Sequence, residues 1–305
     1  MVSNFDYEAA RENVFKYMGG EADEFLSGVQ DKLARSAEKW QLSQLSFMQT
    51  DTANLLFSCT SVLHGSCILK LCISGYLAIT EINCLQAYGG NGYVKLWEYD
   101  LADNIMLLER VTPGNQMWDV PDYKERARLM AELIKALPFV AHPQCNYPSF
   151  KSWMEKNHSH MTNMGNVDDI LFYLNKALLI YDELKKKYPR SCLLHGDMHQ
   201  ENLLLNQQGG YTIIDPQGVV DDPVMETARF LNNEMSGDAE KIKEIAAIMS
   251  PIIGVPEGDI LKGMFIDIAI MRSWSMEEHF PSQEAFEKEK LEAVADCKFV
   301  FEMLG

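Results

Sequence analysis

The spacing of apolar residues changes twice along the chain. Around positions 6–18 and 21–40 apolar residues recur at the interval of an α-helix, which predicts two helical stretches. Between positions 45 and 111 the apolar runs are short and bounded by turn residues, which predicts strands, with one helix at about 75–88. The predicted strands read LSFMQ, NLLFSCTSVL, SCILKLCI, YVKLWEYD and NIMLLERV, with turns at His64-Gly65 and Ala102-Asp103-Asn104.

After TPG at 112–114 the helical interval returns and persists to the end. Helices are predicted at about 121–138, 150–156, 167–188, 223–236, 238–250, 256–279 and 283–303. Only residues 193–215 interrupt them, as a loop and a short hairpin around the QQGG turn. The pattern predicts an α+β fold with two lobes, an antiparallel-sheet lobe at 1–111 and a larger helical lobe at 112–305. A site built from both lobes is expected at their boundary, where pockets tend to form.

Composition and charge narrow the class of protein. The 305 residues include no apolar run near the ~20 residues of a membrane helix, and the start lacks a signal-peptide pattern, so we expect a cytoplasmic protein without a membrane partner. The seven cysteines include no CxxC pair, which argues against a zinc site. A net charge of −17 argues against nucleic acid and is compatible with a cationic small substrate. Oligomeric state is not indicated.

The segment HGDMHQEN at 195–202 concentrates polar side chains between two apolar runs. Asp197 and Asn202 fit one loop, and Asp215 follows at the end of the next predicted strand. Two carboxylates and an amide oxygen suit Mg²⁺. In kinases one Asp orients the attacking hydroxyl while an Asn and a second Asp hold the metal, so the set predicts phosphoryl transfer.

The same segment is compatible with two other interpretations. Asp197 and Asn202 could cap local backbone in a buried polar turn. A binuclear metallophosphoesterase would need further Gly-Asp and Gly-Asn-His elements, and no Gly-Asn-His occurs. His195 is expected to brace the loop by hydrogen bonds. His199 could line the acceptor side, although a structural or solvent-facing role is favoured.

Lys70 is the only charge in the apolar strand SCILKLCI, where an unpaired lysine would be unfavourable. Glu81 lies in the following helix, and a Lys–Glu pair of this kind aims an ammonium at nucleotide phosphates in kinases. The alternative is a snorkelling lysine with an exposed glutamate. The backbone of Glu109, Arg110 and Val111, where the two lobes join, is expected to contact the adenine.

These motifs together resemble the aminoglycoside phosphotransferase superfamily of kinase-like enzymes, most closely its aminoglycoside 6-phosphotransferase and hydroxyurea phosphotransferase group. The resemblance spans about Leu45 to Leu231. It rests on ILK at 68–70, ExxxLxAYGGxGYVKLxEYD at 81–100, LLER–PG at 107–114, HGDxHxxN at 195–202 and IDPQGVVDDPxxETARFL at 214–231.

The resemblance implies a protein-kinase-like bilobal fold and an enzyme that uses ATP and Mg²⁺. It implies Asp197 as catalytic base, Asn202 and Asp215 as magnesium ligands, and Lys70 as a phosphate contact. Asp222-Pro223 is expected to start a helix, and Arg229 to brace that helix against the loop.

The chain departs from the family pattern in three places. It has Asp221-Asp222 where Gly-Asp is frequent, Glu226 where Asp is usual, and no glycine in the nucleotide-covering turn near TDTANLLF at 50–57. The missing glycine puts phosphate positioning in doubt.

The implied acceptor is a hydroxyl-bearing small molecule, with an aminoglycoside such as streptomycin as the expected case. Asp267, Trp274 and Glu278 fall on one face of the predicted helix 256–279 and would suit an amino or guanidino sugar. An amphipathic packing helix explains the same spacing. The alternatives are a metabolic kinase for an amino alcohol, sugar or glycated amine, and a non-catalytic nucleotide-binding pseudokinase.

Overall fold

A computed structural model describes residues 5–50, 52, 54–140 and 145–305. The chain divides into two compact units, Met1–Gly114 with Glu278–Phe280, and Asn115–Glu277 with Pro281–Gly305. Asp51 and Ala53, within the expected nucleotide-covering turn, lie outside the described residues.

In its described residues the first unit combines four α-helices with one five-stranded sheet. The helices are α1 (Tyr7–Met18), α2 (Ala22–Ser27), α3 (Val29–Lys39) and α4 (Gly75–Tyr88), and the strands are β1 (Leu42–Met48), β2 (Leu55–Ser61), β3 (Gly65–Leu71), β4 (Leu96–Asp100) and β5 (Ile105–Glu109). The strand order is β1-β2-β3-β5-β4, and each strand pairs antiparallel with its neighbours. The predicted strands and the helix at 75–88 are confirmed.

The sheet folds because one of its faces is apolar. Alternate residues of β2, namely Leu55, Phe57 and Cys59, are buried in a core that α1–α3 also enter. A period of two places successive side chains on opposite faces, so this alternation fixes the register of β2 against β3.

The second unit is mainly helical with short strands. Its helices are α5 (Tyr123–Ala136), α6 (Phe150–Met164), α7 (Asp168–Lys187), α8 (Ala228–Asn233), α9 (Ala239–Ile253), α10 (Glu257–Ser275) and α11 (Gln283–Glu302). Its strands are β7 (Cys192–Leu194), β8 (Leu203–Asn206), β9 (Tyr211–Ile213) and β10 (Val219–Asp221); β6 (Pro113–Gln116) contains the boundary between the units. The sheets run β10-β7 and β6-β8-β9.

Some of the predicted elements in this unit were wrong. Helix α6 continues to Met164 rather than ending near 156, and α10 ends at Ser275 rather than near 279. The predicted helix at 223–236 is a 3₁₀ helix, Pro223–Thr227, followed by α8. Strands β6 and β10 were not predicted, because runs of three or four residues carry too little periodicity to be recognised.

Candidate active site

A loop connects β7 to β8 and carries the sequence HGDMHQEN; we call residues 195–202 the HGD loop. Its start is held by the pairing of β7 with β10, in which Leu194 lies opposite Val219. The backbone N–H groups of Gln217 and Gly218 donate to the His195 carbonyl at 2.9 and 3.1 Å. The loop therefore leaves β7 in a direction fixed by main-chain hydrogen bonds.

Gly196 adopts a left-handed backbone, with φ of +79°. A Cβ atom at this position would lie 2.7 Å from Val219 Cγ1 and 3.0 Å from Trp153 Cη2. Both the conformation and the close approach require glycine immediately before Asp197.

We expect Gly196→Ala to destabilise the protein by about 2–4 kcal/mol, because backbone strain and overpacking add. Urea unfolding measures the change. The matched control is Gly209→Ala in the β8–β9 turn, where φ is +81° but no atom lies within 4 Å of the added Cβ. The control should lose only about 1 kcal/mol, from strain alone. Equal losses in the two variants would contradict the packing argument.

His195 braces the HGD loop from within, as the sequence suggested. Its Nδ1 accepts from the Asp197 backbone N–H at 3.0 Å, so Nε2 carries the proton and donates to the Ile214 carbonyl at 2.8 Å. Burial lowers the pKa of His195 to about 4, against the opposing effect of Asp197. The ring is thus neutral at physiological pH and links the loop to the chain just before Asp215.

The pKa of His195 predicts a pH dependence of stability. The pKa of His195 is 6.5 in the unfolded chain and about 4 in the folded protein, so the unfolded chain binds the proton more strongly between these pH values. The stabilisation that comes from keeping His195 neutral is therefore complete above pH 6.5. It is lost as the pH falls towards 4, by about 3 kcal/mol in all. We expect His195→Gln to remove this slope in urea unfolding measured from pH 7 to pH 4. Identical slopes in the variant and the wild type would disprove the assignment.

Glu226 holds the backbone of the same loop. Its two carboxylate oxygens accept from the N–H groups of His195 at 2.7 Å and Gly196 at 3.0 Å. Burial raises the pKa of Glu226 to about 7, although both backbone hydrogen bonds oppose the shift. Glu226, which replaces the aspartate usual in the family, therefore still supplies a carboxyl group to the loop. The N-cap predicted at Asp222 is confirmed, since its Oδ1 accepts from the Val224 N–H at 3.1 Å.

Asp197 belongs to a partly buried chain of charges. Arg229 Nη1 donates to Asp197 Oδ1, while its Nε and Nη2 donate to the two oxygens of Asp267 at 2.8 and 3.0 Å. Burial by itself would raise the pKa of Asp197, but the positive charge of Arg229 beside the carboxylate holds that pKa below its usual range. Asp197 is therefore ionised at physiological pH, and the predicted bracing role of Arg229 is confirmed.

Contacts of the amide nitrogen fix the orientation of the Asn202 side chain. Nδ2 contacts the Asp197 carbonyl oxygen and His199 Nε2, both at 3.0 Å. His199 therefore helps to orient Asn202, and its possible position on the acceptor side stays a prediction. Among the described residues no donor reaches Asn202 Oδ1, which leaves that oxygen available as a ligand.

The backbone also brings Asp215 to this loop. Strand β9 ends at Ile213, two residues earlier than predicted, and the Ile214 N–H donates to the Asn202 carbonyl at 3.0 Å. Asp215 then adopts a φ of +57°. The structure thus places Asp197, Asn202 and Asp215 on one loop and hairpin.

The donor set fits a magnesium ion that is only partly coordinated by protein. The described residues contain no group of three or more His, Cys, Asp or Glu side chains that could hold a metal. Mg²⁺ uses one or two carboxylates and takes its other ligands from water and phosphate. An amide oxygen and one carboxylate therefore suit Mg²⁺ better than a cation that needs an all-protein cage.

A second buried network braces the far end of the HGD loop and escaped the sequence analysis. Gln200 Nε2 donates to Glu234 Oε1 at 2.7 Å, and Glu234 also accepts from Arg126 at 2.6 and 2.7 Å. Asn233 donates to Gln200 Oε1 at 3.0 Å. Arg126 and Glu234 are 108 positions apart, so no local pattern could have linked them.

The expected acceptor face of α10 is partly wrong. Asp267 is buried, and Arg229 and Asn232 occupy its oxygens. Glu278 lies beyond the end of α10 and groups with the first unit, so it does not share a helical face with Trp274. Trp274 remains half-buried and contacts the Trp153 ring edge-on, at a centroid distance of 5.1 Å. Trp153 was not identified from the sequence.

In the first unit, Lys70 of β3 and Glu81 of α4 form the predicted ion pair. Lys70 Nζ lies 2.7 Å from Glu81 Oε2, and both side chains are buried. This excludes the snorkelling alternative. Glu109 ends β5, and its backbone N–H donates to the Lys95 carbonyl at 2.9 Å. Arg110 and Val111 follow the strand, and the adenine contact at Glu109, Arg110 and Val111 stays a prediction.

Solved structures share this fold. A choline kinase from Streptococcus pneumoniae superposes with a TM-score of 0.66 at 15% identity, covering 88% of this chain and 99% of that one. An aminoglycoside phosphotransferase in a ternary complex with ADP and hygromycin B gives 0.60 at 15% identity, covering 90% and 98%. The fold is therefore kinase-like, with an antiparallel sheet in the N-terminal part and a helical C-terminal part, as predicted.

Sequence comparison identifies the family to which this kinase-like chain belongs. Residues 40–254 match the aminoglycoside/hydroxyurea antibiotic resistance kinases, and the chain belongs to that family. A streptomycin 6-kinase from Streptomyces griseus is 24% identical over 236 residues, covering 73% of this chain and 75% of the relative. A hydroxyurea phosphotransferase from Kitasatospora aureofaciens is 24% identical over 226 residues, covering 72% and 65%. The protein is accordingly a small-molecule kinase, a phosphotransferase with an alcohol group as acceptor.

None of the helices in the described ranges has the length and apolar character needed to cross a bilayer.

Proposed function

We propose that the protein transfers the γ-phosphate of ATP, with Mg²⁺, to a hydroxyl group of a small molecule, with an aminoglycoside such as streptomycin as the expected acceptor. The observation that carries this proposal is the placement of Asp197, Asn202 and Asp215 on one loop and hairpin, with Asp197 ionised and held by Arg229. Family membership supports the same reaction.

In this proposal Asp197 orients the acceptor hydroxyl and takes its proton. Arg229 keeps the pKa of Asp197 low, which makes the carboxylate a weak base in the ground state. A loose transition state for phosphoryl transfer needs little proton abstraction before the bond to the leaving oxygen lengthens. Asp197 therefore acts first by accepting a hydrogen bond from the hydroxyl, and receives the proton late.

Asn202 Oδ1 and the Asp215 carboxylate would hold Mg²⁺, which neutralises phosphate charge when bound. Lys70, aligned by Glu81, is proposed to contact the nucleotide phosphates through its ammonium group. The backbone of Glu109, Arg110 and Val111 is proposed for the adenine. The free state of all seven cysteines supports a cytoplasmic location.

The proposal is tested by following ADP release with purified protein, ATP and Mg²⁺ against streptomycin, hygromycin B, hydroxyurea and choline. We expect turnover with at least one aminoglycoside and none when EDTA replaces Mg²⁺. Turnover with choline alone would replace the proposed acceptor with an amino alcohol. Tight ATP binding without turnover on any of the four would contradict the enzymatic assignment and support a pseudokinase.

A further inference from the structure

Helices α6 and α10 present a half-buried aromatic pair beside the HGD loop. Trp153 of α6 contacts Trp274 of α10 at an interplanar angle of 70°. The Trp153 ring also closes over Gly196, since its Cη2 would lie 3.0 Å from a Cβ placed there. Trp274 lies two turns after Asp267, on the side of α10 that contacts Arg229. Both rings are thereby placed next to the residue proposed to orient the acceptor.

Two hydrogen-bond acceptors accompany these rings. Asn157 is one turn along α6 from Trp153 and donates to Ser273 Oγ at 2.7 Å, so its amide is fixed between the two helices. Glu277 lies in the turn after α10, where its backbone N–H donates to the Trp274 carbonyl at 2.9 Å. In the described part of the chain, neither Asn157 Oδ1 nor Glu277 Oε1 receives a hydrogen bond, although both oxygens are buried.

A buried acceptor without a donor is unfavourable and requires an explanation. The nearest basic group to Glu277 is His160, with Nδ1 at 3.6 Å from Oε1, beyond hydrogen-bond distance. No Lys or Arg among the described residues pairs with Glu277, whereas Asp197, Asp267 and Glu234 all have an arginine partner. The carboxylate therefore retains the capacity to bind a cation.

We infer that Trp153, Asn157, Trp274 and Glu277, the α6–α10 face, bind the cationic amino or guanidino group of the phosphoryl acceptor. The inference rests on the proposed function, and it identifies the chemical class of acceptor. A guanidinium or ammonium stacks on tryptophan through cation–π attraction, and its N–H groups donate to the two orphan oxygens. The carboxylate of Glu277 supplies the opposite charge for a charge-assisted hydrogen bond. A neutral acceptor would gain neither the cation–π attraction nor the charge-assisted hydrogen bond.

Binding is measured first, because it does not require turnover. Calorimetric titration with streptomycin, which carries guanidino groups, should give a Kd that rises about tenfold in Glu277→Gln, the loss of one charge-assisted hydrogen bond. Trp153→Leu should weaken binding by about fivefold through loss of the stacked ring. The control Glu284→Gln removes the same charge from an exposed position at the start of α11 and should leave Kd unchanged.

Kinetics with hydroxyurea, a neutral molecule, gives the second measurement. Glu277→Gln should raise the KM for streptomycin about tenfold while kcat and the hydroxyurea KM change by less than about twofold, as expected for lost ground-state binding. Equal streptomycin Kd values for wild type, Glu277→Gln and Glu284→Gln would overturn the inference. So would wild type that binds streptomycin no better than hydroxyurea. Charge-dependent binding without any transfer would support the face and contradict the proposed function alone.

Discussion

Replacing Asp197 with asparagine is expected to lower kcat for phosphoryl transfer by about a thousandfold, within the range for loss of a general base. Asparagine has nearly the same shape and can still accept one hydrogen bond from Arg229, but it cannot take a proton. The ADP-release assay with the preferred acceptor measures the loss. Calorimetric titration with ATP should give an unchanged Kd, since Asp197 is not proposed to contact the nucleotide.

The matched control for this variant is Asp119→Asn, at an exposed aspartate of the second unit. It makes the same chemical change, and kcat should stay close to that of the wild type. Full activity of Asp197→Asn would remove Asp197 from the mechanism. A parallel loss of folding, detected by urea unfolding, would instead assign the residue a structural role.

Arg229→Met is expected to destabilise the protein by about 3–5 kcal/mol, because removing one partner leaves buried charges uncompensated. Asp267 is about as buried as any ionisable group in the second unit, with 1% of its surface exposed, and it would lose two hydrogen bonds. Urea unfolding measures the effect. Arg128→Met is the control, since its ion pair with Glu125 is about half exposed and should contribute under ~1 kcal/mol.

A double variant separates charge from packing. Adding Asp267→Asn to Arg229→Met removes the stranded carboxylate, so the double variant should be more stable than Arg229→Met alone by about 1–2 kcal/mol. Strictly additive losses would show that Arg229 stabilises the protein by packing rather than by its charge. Either variant should also reduce activity, because Arg229 positions Asp197.

The elements that the sequence predicted well are those whose cause is local. The alternation in β2 is set by residues two apart, and the Asp222 N-cap by residues two apart as well. The pair Lys70–Glu81 could be predicted because a buried lysine requires a partner and the following helix offered one carboxylate at a suitable position. His195 was assigned correctly for a similar reason, since a histidine between apolar runs must find hydrogen bonds, here with the Asp197 N–H and the Ile214 carbonyl.

The residues that escaped prediction owe their positions to tertiary packing. Trp153 lies 121 positions before Trp274, and only the packing of α6 on α10 joins them. Asp267 was wrongly expected to face the substrate. Helical periodicity shows which residues share a face of a helix, but it does not show what that face contacts. Glu278 failed because helix ends are the least certain part of a periodic pattern, and α10 ends three residues earlier.

The residues that hold the HGD loop and the aromatic pair beside it belong to different helices. Glu226 and Arg229 hold the loop from the segment at and before α8, whereas Trp153 and Asn157 lie on α6. If the inferred α6–α10 face binds the acceptor, substitutions along α6 at positions 157 and 160 change which molecules are recognised, while Glu226 and Arg229 keep their contacts with the HGD loop. The separation then predicts that a few mutations can change the acceptor preference of this protein with little penalty to the transfer chemistry.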